Sequence, residues 1–221
     1  MLLNLTPSIL ISYIFVLLTA FAVHEFAHAF VANWFGDDTP SRAGRLTLNP
    51  FAHLDPIGSL MLLFAGFGWA KPVPINPYAL TRRSSSAVMW VSLAGPLSNL
   101  LMAVIVAIPF KLGLVSLQQA AMDMATASKH LLPTLPQFLY IFVSTNLLLM
   151  LFNLIPISPL DGEKVLYYLL PPPGQRVMDN IRPYGPILLL LVVFGGSLLG
   201  FNLLGRIITP ALNFLIMLLL G

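Results

Sequence analysis

The chain has 221 residues, of which 57% are hydrophobic and only 9% charged, with a net charge of +3; an average soluble domain has about 25% charged residues. Eleven basic and eight acidic side chains cannot cover a globule of this size in water, which excludes an ordinary soluble domain, a disordered chain and a nucleic-acid binder. There are no cysteines, so disulfides, thiolate metal ligands and a cysteine nucleophile are excluded as well.

What remains is an all-α, polytopic membrane protein. A helix needs about 20 apolar residues to cross about 30 Å of hydrocarbon. The first apolar segment runs over about 8–35. It has no basic n-region and no cleavage site, so it reads as a span rather than a signal peptide. An apolar stretch over 56–69 is too short to cross and suits a re-entrant or interfacial segment. Next, 65–77 (AGFGWAKPVPINP) is rich in prolines that forbid a helix, while Val73 and Ile75 suit a short extended or β loop near the membrane face. Further spans are expected over about 84–110, 135–154, 184–200 and 206–220, with a short helix over 162–170. Gly95-Pro96 should kink the second span. Trp34, Trp69, Trp90 and Tyr78 read as interfacial anchors. No repeat or soluble domain interrupts the pattern, so residues 1–221 form one membrane domain.

Basic residues orient the chain. With five spans and 56–69 not crossing, one side carries Arg42, Arg45, Lys71, Arg82, Arg83, Lys164, Arg176 and Arg182, and the other Lys111, Lys129 and Arg206. The richer side is expected in the cytoplasm, which puts the N-terminus outside and the C-terminus inside.

Within the first span lies His24-Glu25-Phe26-Ala27-His28. Ionisable residues inside a span are costly and point to function. Residues four apart on a helix differ by about 40° in direction and 6 Å in height, so His24 and His28 present two imidazoles to one tetrahedral Zn²⁺. Glu25 sits beside that position, able to take a proton from a water there without being a ligand. With four His and two Glu in the chain, random placement would produce this pattern roughly 6 times in 10,000.

A catalytic zinc takes a third protein ligand and keeps one position open. The candidates are His53, His130, Glu163 and the aspartates. His24 and His28 lie in the cytoplasmic half of the first span, so the third ligand should approach from that side. His130 is on the opposite side. Asp161 follows the end of the third span and is favoured, although an aspartate there also suits the N-cap of the short helix. Glu163 is the competitor. His53 either shields the metal or caps a turn. Asn99, Ser98 and Asn146 either admit water to the site or bond between helices.

HEFAH in an apolar helix, followed about 130 residues later by Asn153-x-x-Pro-x-x-x-x-Asp161-Gly162, resembles the site-2 protease family of intramembrane zinc metalloproteases. Gly95-Pro96-Leu97-Ser98-Asn99 matches a third motif of that family, and the 44–56 and 68–77 stretches resemble its compact prokaryotic branch without a PDZ domain. The resemblance implies one Zn²⁺ held by His24, His28 and Asp161, with Glu25 as general base and acid. It implies that Asn153 bonds the scissile carbonyl or its oxyanion. It further implies transmembrane-protein substrates, often trimmed first by another protease, in a prokaryotic plasma membrane. From its residues, the 70–77 loop either pairs with an unwound substrate by strand addition or is a connector at the bilayer surface. The first segment would be the metal-bearing helix itself, with no extra span before it. The alternative from the residues alone is a transporter or channel using His24, Glu25 and Asp161 as an ion or proton path.

Overall fold

The computed structural model describes residues 4–129, 131–199 and 203–221, so His130 lies outside the described residues. Regular structure among them is helical. In chain order the α-helices are α1 (Pro7–Trp34), α2 (Thr39–Arg42), α3 (Pro56–Ala65), α4 (Pro77–Arg83), α5 (Ala87–Lys111), α6 (Leu117–Ala125), α7 (Leu135–Asn153), α8 (Asp161–Leu169), α9 (Pro172–Ile181), α10 (Gly185–Leu199) and α11 (Leu203–Leu220).

Among the described residues four stretches are long and apolar enough to cross a membrane: α1, α5, α7 and Pro172–Gly195. In the last, α9 runs through a 3-10 turn at Arg182–Tyr184 into α10, so the continuous helical stretch begins earlier than the expected 184, while its apolar part is α10. α11 has 18 residues, about 27 Å at 1.5 Å per residue, the short end of what crosses about 30 Å of hydrocarbon.

The core is α1, α5 and α7, which all touch one another. The burial pattern explains the packing. On α1 the residues Ser8, Ser12, Val16, Ala20, His24, His28 and Ala32 are all buried, an unbroken row at spacing four. On α5 the row is Ala87, Val91, Gly95, Asn99, Ala103 and Ala107. Rows of this kind are the ridges along which helices interdigitate. Their small side chains let membrane helices approach closely. The rows carry their polar residues with them, so packing by itself brings His24 and His28 of α1 against Gly95 and Asn99 of α5. α5 also packs on α8, and α11 closes over α7 and α5. Pro96 and Pro109 both lie inside α5, which continues through them as one helix.

Residues 54–70 form a closed excursion. Asp55 caps α3, its carboxylate accepting from the Gly58 amide at 2.8 Å. The helix ends at Gly66, whose φ of 74° belongs to the left-handed region that glycine adopts without penalty. The chain then returns so close to α3 that a Cβ on Gly58 would overlap the Trp69 carbonyl, and one on Gly68 would overlap the Gly58 carbonyl. An antiparallel bridge joins Leu54 to Ala70, so the segment leaves at the level where it entered. A ten-residue helix, about 15 Å long, does not cross.

The expected β loop over 70–77 is reduced to that one bridge. No strand occurs among the described residues, because Pro72 and Pro74 have no N–H to offer a ladder. The segment is held extended from its two ends instead. Buried Arg45 donates through Nη1 to the carbonyls of Ala52 and Lys71 at 2.6 and 3.2 Å. At the other end the Asn76 amide donates to the buried Asp37 carboxylate at 2.6 Å.

Candidate metal centre

Three side chains converge where α1, α5 and α8 meet. His24 Nε2 lies 3.0 Å from His28 Nε2, and each lies 3.2 Å from Asp161 Oδ2. All three residues are buried. They form a cluster of metal-ligating type among the described residues.

Local structure delivers each ligand. The histidines sit one helical turn apart on the buried row of α1. Asp161 is the first residue of α8, whose N-cap is Leu160, and no side chain caps that helix. The capping alternative for Asp161 is therefore not the one adopted: its carboxylate turns to the imidazoles. Gly162 makes this approach feasible, since a Cβ there would overlap the carbonyls of Leu154 and Ile155. Ionised, this carboxylate is in the form a metal binds.

Glu163, the competing carboxylate, points elsewhere. Its Oε1 accepts from Nε and Nη2 of Arg182 at 2.9 and 2.7 Å. Arg182 also pairs with Asp179 at 3.3 Å and lies over the Tyr167 ring at 4.8 Å. This cluster ties α8 to α9. His53 is fully buried, donating from Nε2 to the Thr47 carbonyl at 2.8 Å, and so braces its own loop. Ser98 donates to the Gly95 carbonyl of its own helix at 2.7 Å.

Does this cluster fit zinc? Four-coordinate Zn²⁺ with bonds of about 2.0–2.2 Å sets its ligand atoms about 3.3 Å or slightly more apart, close to the triangle found here. The hydrogen bonds agree. His24 Nδ1 donates to Asn99 Oδ1 and His28 Nδ1 donates to the Val91 carbonyl, both at 2.6 Å. With Nδ1 protonated, a neutral ring leaves a bare lone pair on Nε2. Two such lone pairs and a carboxylate oxygen aimed at one point repel unless a cation lies among them. The donor set, two imidazoles and one carboxylate, is of a catalytic zinc type. Each histidine has the outer partner that such ligands require.

The centre opens on a cavity of about 950 Å³ that also reaches Glu25, Asn153, Phe67, Trp69 and Val73. Glu25 is partly exposed there, and its carboxylate makes no hydrogen bond to the described residues. Asn153 uses Nδ2 to donate to the Leu149 carbonyl at 3.0 Å, which leaves its second N–H unused. Phe67 and Phe152 line the cavity; Phe67 contacts Phe152 and also Phe194 on α10, at 6.1 and 6.0 Å between ring centroids.

Sequence reasoning missed one residue. Gly95 reads as half of a kink, yet a Cβ there would overlap Nε2 of both histidines. The signal was present in the four-residue row 91–95–99 on α5, matched to the row carrying the histidines.

Comparison with known proteins agrees with this chemistry. The family model of peptidase family M50 matches residues 12–193. A Bacillus subtilis (strain 168) protein named as a zinc metalloprotease, YwhC, is 43% identical over 190 residues, covering 86% of this chain and 81% of the relative. Two mycobacterial proteins named as zinc metalloproteases, both Rip2, are more distant. That of Mycolicibacterium smegmatis is 34% identical over 202 residues, and that of Mycobacterium tuberculosis (strain H37Rv) 31% over 193. Each alignment spans 66% of the relative, with 89% and 83% of this chain covered. No solved structure matches significantly. None of these relatives favours an ion pathway. Apolar helices, a buried His–His–Asp cluster and the family match lead to one conclusion: the chain belongs to peptidase family M50 and is an intramembrane zinc metalloprotease.

Proposed function

We propose that His24, His28 and Asp161 hold the single zinc, that Glu25 is the general base and acid, and that Asn153 serves the oxyanion. The convergence of two Nε2 lone pairs and a carboxylate oxygen within 3.0–3.2 Å carries this reading. Bound there, zinc would supply Lewis-acid polarisation and lower the pKa of water in the site.

The residues of the chain do the rest. Glu25, in the cavity beside the cluster, takes the proton of the attacking water and returns it to the leaving amide nitrogen. Asn153 turns its free N–H to the carbonyl oxygen as negative charge develops there. One such donor is worth about 3–4 kcal/mol in other enzymes. The substrate is a transmembrane segment, unwound over a few residues because helical peptide bonds are shielded by their own hydrogen bonds. The extended 70–77 segment lies along the cavity. The main-chain groups of Val73 and Ile75 pair with no described residue, which suits strand addition by the unwound substrate.

The experiment is metal removal. Purified protein is expected to hold one zinc per chain and to cleave a model transmembrane substrate. A chelator should abolish cleavage, and added zinc should restore it. Cleavage that persists in metal-free protein would refute the assignment.

Residues 1–221 act as one domain in the cell membrane, with α11 as a fifth span, the N-terminus outside and the centre opening toward the cytoplasm. Support comes from the basic-residue bias and from the 54–70 excursion, which does not cross and so leaves Arg42, Arg45, Lys71, Arg82 and Arg83 on one side. Because the chain has no cysteine, a single Ser85→Cys reports orientation. An impermeant maleimide is expected to label it only from the cytoplasmic face. Labelling from outside would invert the topology.

A further inference from the structure

A histidine that ligates through Nε2 must carry its proton on Nδ1, and an acceptor must keep it there. The two histidines of this centre meet that need differently. For His28 the acceptor is the Val91 carbonyl, a main-chain group that only accepts. For His24 it is the side-chain oxygen of Asn99, and an amide can turn over. Presented the other way round, Asn99 would offer N–H to Nδ1. The ring would then adopt the opposite tautomer, with its proton aimed into the ligand triangle.

What sets the amide is a relay on the far side of Asn99. Its Nδ2 donates to Asn146 Oδ1 at 2.9 Å. Asn146 could turn over as well, but its own Nδ2 donates to the Phe142 carbonyl at 2.9 Å, which again only accepts. The direction of every bond follows from that one main-chain oxygen: Asn146 to Phe142, Asn99 to Asn146, His24 to Asn99. Asn99 and Asn146 are 0% exposed and His24 is 6% exposed, so bulk water does not reach the relay. In such a dry site a donor facing a donor costs its full desolvation.

We propose that Asn146, which touches no ligand atom, is a positioning residue of the metal centre. Through Asn99 it holds His24 as the Nδ1-protonated tautomer, with Nε2 bare toward the metal. The proposal rests on His24 being a zinc ligand. The competing account is that Asn99 and Asn146 only join α5 to α7, as buried amides often do between membrane helices.

The two accounts separate on one pair of variants of the full chain. Asn146→Leu removes the relay and keeps an apolar side chain in the space. Asn146→Asp, neutral in this dry setting, offers one O–H donor and one acceptor oxygen and so restores its polarity. Zinc affinity is read by competition with a chromophoric chelator, and the His24 tautomer by 15N NMR on metal-stripped protein. Asn146→Leu is expected to weaken zinc binding about 10-fold or more and to populate the Nε2-protonated form of His24, leaving His28 unchanged. Asn146→Asp should recover both, with helix content equal in all three proteins. Wild-type affinity and an unchanged His24 tautomer in Asn146→Leu would overturn the relay. So would equal loss of zinc in the Leu and Asp variants, which marks a packing role. Failure of wild-type protein to bind zinc would sink the metal centre itself, while the tautomer readout would still decide the relay.

Discussion

Glu25→Gln is expected to leave zinc in place and to lower cleavage of a transmembrane substrate by about 10²–10⁴-fold, the range over which a positioned general base and acid contributes. The substitution keeps the size and polarity of the side chain and removes only its ability to accept and return a proton. Glu25 is not one of the three convergent residues, so zinc content measured by emission spectroscopy should stay at one per chain. Its position explains the division of labour. One residue along the helix from His24 rotates the side chain about 100°, off the buried row and into the cavity beside the cluster. Cleavage at the wild-type rate by Glu25→Gln would remove Glu25 from the mechanism. Loss of zinc together with activity would make it a ligand instead.

Gly95→Ala is expected to weaken zinc binding by well over 10-fold without unfolding the protein. The added methyl would sit 2.5 Å from His24 Nε2 and 2.6 Å from its Cε1, and would overlap His28 Nε2 too. Neither ring has an easy escape. Each is tethered through Nδ1 to α5 itself, at Asn99 and at Val91, so moving away from residue 95 breaks the bond that sets the tautomer. Alanine is otherwise a better helix former than glycine by about 1 kcal/mol. The helix should therefore survive while zinc affinity falls by well over 10-fold, the loss typical of disturbing even an outer partner. Gly195→Ala is the control, because a Cβ there meets nothing within 4 Å. Zinc content and cleavage preserved in Gly95→Ala would mean that the two helices separate more readily than their matched rows imply.

The parts of this protein that depend on local order were legible in the linear chain. Hydropathy over about 20 residues found α1, α5 and α7 to within a few residues. The spacing of His24 and His28 placed two imidazoles on one face, because a helix repeats the same geometry wherever it occurs. Glycine and proline marked the excursion after residue 55 and the break before α8. The long-range pairing of Asp161 with those histidines was also within reach, since few other side chains could complete the set.

Contacts between rows were a different matter. That Asp161 and not Glu163 turns inward depends on Arg182, in the turn after α9, capturing the glutamate. That Gly95 must lack a side chain depends on where the α5 row crosses the α1 row. The amide relay joins residues 75 and 47 positions apart, and its direction is set by a main-chain carbonyl that no residue type announces. Composition and periodicity specify what each helix will bury. Which buried atom meets which is decided only when helices from distant parts of the chain pack within van der Waals distance, where a single methyl or a reversed amide changes whether a metal can be held.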